Sequence, residues 1–170
     1  MTRGLLELGH PVAAVDNDVE MLRHVPAVAE AVLSDIETLD LGTAYPVVLL
    51  ASNLINSPDH TARARLLATC RRHVSEDGVV LIQRYQPDLQ GWEPGGWVDR
   101  GLVAVRISRF ERQGDQFSAS IGYRHADRTW AHHFSAEILD DEMLRVELAN
   151  AGLRFEQILD PEGTWLKATP

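Results

Sequence analysis

The sequence predicts one α/β domain built on a mostly parallel sheet that ends antiparallel, and three observations carry that expectation. Short, uniformly apolar runs recur between helical patterns. The early runs end at acidic or amide residues. The second half of the chain switches to alternating runs separated by turn residues. Apolar runs without polar alternation suit strands covered on both faces, and strand alternating with helix predicts crossover connections and a parallel sheet. The 170 residues provide for one sizeable core, not for two ordinary domains.

Thr2 to Leu8 reads as a helix, with Leu5, Leu6 and Leu8 apolar and Gly9 as its stop. Pro11 to Val15 is the first apolar run and ends at Asp16. Asp18 is placed to cap a helix through Glu20, Met21 and Leu22, which Pro26 keeps short. Ala29 to Leu33 reads as the next strand, closed by Ser34-Asp35, and Tyr45 to Ala51 as a third. Asn56-Ser57-Pro58-Asp59 reads as a helix entry, and Asp59 to His73 as the helix. Its Ala62, Leu66, Leu67 and Cys70 share a face, while Arg63, Arg65, Arg71 and Arg72 read as solvated. Glu76-Asp77-Gly78 reads as a turn into the strand Val79 to Ile82.

The pattern then changes. Pro87 to Gly96 carries Pro, Gly and Trp and reads as a loop. Leu102 to Tyr123 divides at Gln113-Gly114-Asp115 into two alternating runs; Phe117, Ala119, Ile121 and Tyr123 point one way, Ser118, Ser120 and Arg124 the other. Trp130 to Phe134 adds a third strand, so residues 84–135 form a variable loop and antiparallel hairpin set into the domain 1–170. Ala136 to Ala151 reads as a helix stopped by Gly152, followed by strands at Leu153 to Leu159 and Trp165 to Ala168.

A formal net charge of -9 disfavours nucleic acid and anionic membrane surfaces, because phosphate binding needs clustered Lys and Arg. Cys70 is the single cysteine, so neither an intrachain disulfide nor a thiolate metal cluster can form, and no zinc-type spacing of His, Cys and acid is present. A reducing, cytoplasmic setting is the expectation. No basic segment leads into a long apolar run, so neither a signal peptide nor a membrane span is expected.

Three junctions carry candidate chemistry: Asp16-Asn17, Asp35-Ile36 and Ser52-Asn53 each close a strand. In open parallel sheets ligands sit at the carboxyl ends of strands. A carboxylate there can accept two hydrogen bonds from vicinal hydroxyls, and an acid beside an apolar residue can bond a purine amino group while its neighbour packs on the ring. Tyr85, with Arg84 and Trp92, follows the fourth strand, where an aromatic beside a Pro/Gly loop more often anchors the loop. His132 and His133 face opposite ways on one strand; His132 shares a face with Trp130 and Phe134 and reads as a packed wall residue, His133 as solvated.

The stretches Gly-His-Pro-Val-Ala-Ala-Val-Asp16-Asn-Asp-Val-Glu-Met-Leu, Ser-Asp35-Ile-Glu-Thr-Leu-Asp-Leu, Val-Val-Leu-Leu-Ala-Ser52-Asn53-Leu and Arg-Arg-His-Val-Ser-Glu-Asp-Gly-Val-Val-Leu-Ile come in a telling order. With the tail Leu-Ala-Asn-Ala-Gly-Leu-Arg-Phe and Thr-Trp-Leu-Lys-Ala, the chain resembles the class I S-adenosylmethionine-dependent methyltransferases. The resemblance implies a Rossmann-like sheet, S-adenosyl-L-methionine as cofactor and methyl transfer to a small-molecule acceptor. It implies that Asp16, with Asn17 beside it, holds the ribose, that Asp35 and Ile36 hold the adenine, and that Ser52-Asn53 lies near the methyl donor. The hairpin and Pro-Gly-Trp loop would roof the acceptor site, with Tyr85 and His133 as contacts. No catalytic base is required, since a sulfonium drives the transfer once donor and acceptor are aligned.

The same resemblance implies a first strand and a glycine-rich turn ahead of the first helix. That helix starts at Thr2, and Asp16 lies too near Met1 to leave room, so the expectation is an N-terminally truncated fold. The first strand of such sheets lies between the strands ending here at Asp16 and Ala51-Ser52. Without it, facing backbone groups lose partners at about 1–3 kcal/mol each, against a domain stability of about 5–15 kcal/mol. Repacking by edge pairing or homodimer formation is one expected remedy. Cofactor binding by the chain alone is expected to be weak or nil. Two other readings stand beside this one: a non-catalytic remnant or binding module, and a nicotinamide-binding oxidoreductase, which the antiparallel ending around Trp165 disfavours.

Overall fold

A computed structural model describes all residues from Met1 to Pro170. After α1 (Thr2–Glu7), β1 (Ala13–Asp16), α2 (Val19–Leu22) and β2 (Glu30–Leu33) form a small parallel β1-β2 pair with Asp16 opposite Leu33. β3 (Tyr45–Leu50), α3 (His60–His73) and β4 (Val74–Gln83) follow. β5 (Val98–Asp99), β6 (Ala104–Gln113), β7 (Gln116–His125) and β8 (Arg128–Glu137) form an antiparallel sheet in sequence order. α4 (Asp141–Asn150), β9 (Arg154–Ile158) and β10 (Trp165–Thr169) complete the chain. The main sheet runs β3-β4-β10-β9, with β3 parallel to β4 and both final strands antiparallel. No helix is long and apolar enough to cross a membrane.

The parallel strands do not form one continuous sheet. β1-β2 and β3-β4-β10-β9 are separate ladders, and β1 and β3 each keep one edge without a backbone partner. The core explains which half stands alone. Leu50, Val80, Ile82, Leu166 and Ala168 of the main sheet pack with Leu66, Leu67 and Cys70 of α3 and Leu144 and Leu148 of α4. Each large aliphatic side chain buried there contributes about 1.5–3 kcal/mol. By contrast, Leu39 is the first buried residue in the chain, so α1, β1, α2 and β2 add nothing to that core.

Local chemistry accounts for the helices. Asp18 accepts from Glu20 N, Asp59 from Thr61 N and Ala62 N, and Asp140 from Met143 N, so each of α2, α3 and α4 starts behind an aspartate cap. The last cap shortens the expected helix from Ala136: Ala136 and Glu137 belong to β8, and α4 begins only after Asp140. β4 likewise begins at Val74, not after the expected turn. Its register against β3 jumps from Val74 to Val79, and Ser75–Gly78 form an irregularity within the strand.

The arginines of α3 do not share one solvated face. Arg63 is fully buried. Its Nη1 donates to Glu137 Oε2 at 2.8 Å and Ser57 O at 2.9 Å, and its Nη2 to Glu147 Oε1 at 2.8 Å. The guanidinium thereby joins α3, the end of β8 and α4. Arg84, also buried, donates to Leu139 O and Gly163 O and pairs with Asp141 at 2.6 Å.

Candidate functional site

The carboxyl end of β1 is shaped by its own acid. Asp16 Oδ1 accepts from Asp18 N at 2.9 Å, which turns the chain into α2 and leaves Asp16's other oxygen without a protein partner. Asn17 is exposed beside it. β2 ends alongside, where Ser34 N donates to Asp16 O at 3.1 Å. Asp35 Oδ1 accepts from Glu37 N at 2.9 Å and opens a short 3-10 turn, Ile36–Thr38. Ile36 packs, half-buried, on the large core. Asp16, Asn17, Asp35 and Ile36 are thus gathered at one end of one ladder.

The end of β3 is built differently. Ser52 and Asn53 both have positive φ, 60° and 56°, a left-handed conformation that costs non-glycine residues energy. Ser52 N is held by Gln83 Oε1 at 3.0 Å, from the end of β4. Asn56, buried just beyond, donates from Nδ2 to Glu137 O at 2.7 Å and accepts from Tyr85 N at 2.9 Å. One amide therefore ties the loop after β3 to the ends of β4 and β8. Its setting in Asn-Ser-Pro-Asp signals a helix entry, and nothing local in the sequence marks that bridge.

Tyr85 is the hinge between this end and the antiparallel sheet. Its ring stacks on Phe134 at 5.7 Å and meets Trp92 and Phe117 edge-on at 5.2 Å and 5.3 Å. Burial pushes its phenol up to about 12; the hydrogen-bonding Asn53 side chain lowers it and Tyr123 raises it further. The phenol, protonated at neutral pH at either value, faces Asn53. Phe134 in turn stacks on His132 at 5.4 Å, and Tyr123 stacks on Trp130 at 5.7 Å. Aromatic rings thus line the face that β6-β7-β8 turns toward Tyr85.

His133 lies on the other face, where its Nδ1 is 2.6 Å from Ser120 Oγ. That face forms an open cavity of about 580 Å³ lined by Arg109, Glu111, Ser118, Ser120, His133 and Ser135. Tyr85 and His133 consequently do not share a site. His132, one residue earlier, is on Tyr85's side. Ser52, Asn53 and Tyr85 come together at the ends of β3 and β4, and no hydrogen bond connects them with the group around Asp16 and Asp35. No cluster of three His, Cys, Asp or Glu side chains is placed to hold a metal.

The donor set suits the nucleoside part of an adenosyl cofactor: Asp16 keeps a free carboxylate oxygen, and Ile36 offers an apolar surface beside Asp35. No glycine turn adjoins it; Gly4 lies within α1 and Gly9 ends it.

The strand order and antiparallel ending define a methyltransferase-type α/β fold, and solved structures agree. No family model and no curated protein matches the chain. An S-adenosylmethionine-dependent methyltransferase from Clostridium acetobutylicum superposes with a TM-score of 0.77 at 14% identity, over 99% of this chain and 78% of that one. A sugar N-methyltransferase from Streptoalloteichus gives 0.71 at 21% identity, covering 92% and 70%. An amino pentose methyltransferase from Micromonospora echinaspora, solved with S-adenosylmethionine bound, gives 0.70 at 19%, covering 94% and 73%. The chain has the fold of the S-adenosylmethionine-dependent methyltransferases.

Proposed function

We propose that this protein serves S-adenosylmethionine-dependent methyl transfer to a small-molecule acceptor. The observation that carries the reading is the junction of Ser52, Asn53 and Tyr85 at the carboxyl ends of β3 and β4, facing the aromatic side of the antiparallel sheet. Bound S-adenosylmethionine supplies an electrophilic methyl group. Asp16 and Asn17 hold the ribose, and Asp35 and Ile36 the adenine. Ser52 and Asn53 line the approach to the methyl donor. Tyr85, its phenol protonated at neutral pH, donates a hydrogen bond to the acceptor. In this reading His132, not His133, is the histidine that meets the acceptor, because it shares Tyr85's face.

The aromatic wall of Phe134, Tyr123 and Trp130 suits an acceptor with a flat or ring-shaped body. The sugar and amino pentose methyltransferases among the structural neighbours fit that chemistry, and an amine on a hydroxyl-bearing ring is the acceptor class we favour.

The reading includes one further strand. β1 and β3 each keep an unpaired edge to which an extended segment can add, with a glycine turn at its carboxyl end to approach the cofactor. Isothermal titration tests both parts. The 170-residue chain is expected to bind S-adenosylhomocysteine weakly or not at all, and a version extended upstream in its reading frame is expected to bind it. An extended protein that binds neither S-adenosylhomocysteine nor S-adenosylmethionine refutes methyl transfer and leaves the non-catalytic remnant. Binding of a nicotinamide dinucleotide instead identifies an oxidoreductase. Micromolar affinity in the 170-residue chain shows that the added strand is not needed.

A further inference from the structure

β8 is the outermost strand of the antiparallel sheet. β7 pairs along its whole length, from His125–Arg128 to Gln116–Glu137, without a register shift, and nothing pairs with its other edge. In an antiparallel ladder, alternate residues direct their backbone groups toward one neighbour and the intervening ones toward the other side. Two bonds fix which are which. Ile138 N donates inward to Asp115 O at 2.7 Å, while Glu137 O takes Asn56 Nδ2 from outside the ladder at 2.7 Å. Thr129, Ala131, His133 and Ser135 share Glu137's parity and present their N–H and C=O groups outward. All four are exposed.

Free edges are normally short, or carry Lys, Pro or a bulge. β5, at the opposite edge of the same sheet, has only two residues. β9, at an edge of the main sheet, carries Arg154 and Glu156. β8 runs for ten residues with no Pro, no Lys and no bulge; its charges, Arg128 and Glu137, sit at its ends, and Trp130 is 47% exposed.

We propose that a second copy of this chain pairs with β8 about a two-fold axis at His132, giving one continuous eight-stranded antiparallel sheet. The register follows from the backbone. Of the two-fold arrangements, only this one engages all four outward residues and avoids Glu137, which Asn56 already occupies. Thr129 then faces the partner's Ser135, and Ala131 the partner's His133. On the opposite face Trp130 lies across from the partner's Phe134, so a hydroxyl pair and an aromatic pair both form across the new ladder. The contact is isologous and closes as a dimer.

Sedimentation and cysteine cross-linking test this directly. The unaltered chain is expected to sediment as a dimer at micromolar concentration. Ala131→Pro removes one outward N–H at a position where an edge strand tolerates proline; it is expected to sediment as a monomer with unchanged far-ultraviolet circular dichroism. At the axis, residue 132 meets itself in a non-hydrogen-bonded pair with Cα atoms about 4.5 Å apart, within disulfide range. Mild oxidation of His132→Cys should therefore give a covalent dimer on a non-reducing gel, and Thr129→Cys should not. Cys70 is buried and does not compete. A monomeric unaltered chain, a dimer that persists in folded Ala131→Pro, or equal cross-linking of the two cysteine variants overturns the proposal. Should Ala131→Pro not fold, the cysteine pair decides alone.

Discussion

Tyr85 and Phe134 lie face to face, with centroids 5.7 Å apart and planes 13° from parallel. The end of β4 and the strand β8 are fastened by that stack. Tyr85→Phe keeps the ring and removes the hydroxyl that faces Asn53. In the cofactor-competent protein it should leave the melting temperature within a few degrees and lower turnover. Phe134→Ala removes the stack and should cost about 3–5 kcal/mol in denaturant unfolding. Equal stability losses in the two variants would show that the hydroxyl matters to the fold more than to the acceptor.

Arg63→Met should destabilise the chain by about 3–5 kcal/mol, because Glu137 and Glu147 would keep their charges without their shared cation. Arg63→Lys should recover only part of the loss. A single ammonium cannot reproduce a fork that reaches Glu137, Glu147 and Ser57 at once. Urea unfolding of the two variants measures the difference.

Burial pushes the Cys70 thiol up to about 12. The unfolded chain releases that proton near its ordinary value of 9.0, while the folded chain keeps it. The contribution is therefore whole below about pH 9 and is lost as pH rises toward 12. Tyr85 acts in the same direction between 10 and about 12. Stability should fall on the alkaline side, and Cys70→Ala should flatten the decline. A thiol reagent at pH 8 should label Cys70 only at the rate of unfolding; prompt labelling would contradict its burial.

Gly78→Ala should destabilise by about 1–3 kcal/mol. A Cβ there would sit 2.8 Å from Pro46 O, 2.7 Å from Ser75 Oγ and 2.9 Å from Val74 Cγ2. The carbonyl belongs to β3 and cannot withdraw without disturbing the β3–β4 ladder. Thermal unfolding within one degree of the parent would show that the irregularity in β4 yields easily.

Apolar runs announced β1, β2, β3 and the apolar half of β4 because their physical signal is local. The aspartate caps were legible for the same reason, being one side chain bonding an amide two or three residues on. Arg63 was not legible as a buried group. Its partners Glu137 and Glu147 lie more than seventy residues away, and the helix pattern of α3 marks arginine as polar without saying what it meets. The start of α4 was misread because Ala136 and Glu137 are good helix formers that pair with β7 instead. For the candidate site, strand alternation separates His132 from His133, but only the packing of Phe134 on Tyr85 says which face looks toward β4.

Leu39 as the first buried residue also orders events in time. Synthesis delivers β1 and β2 before β3, yet they have no core of their own to fold onto, and the main sheet is completed only when β10 emerges. A nascent chain of this protein would carry Ala13-Ala14-Val15 and its neighbours uncovered until β10 emerges. Pulse-labelled exchange should find those amides the last to gain protection. Anything that delays the closing of β10 against β4 lengthens the interval in which β1 and β2 can associate with the wrong partner.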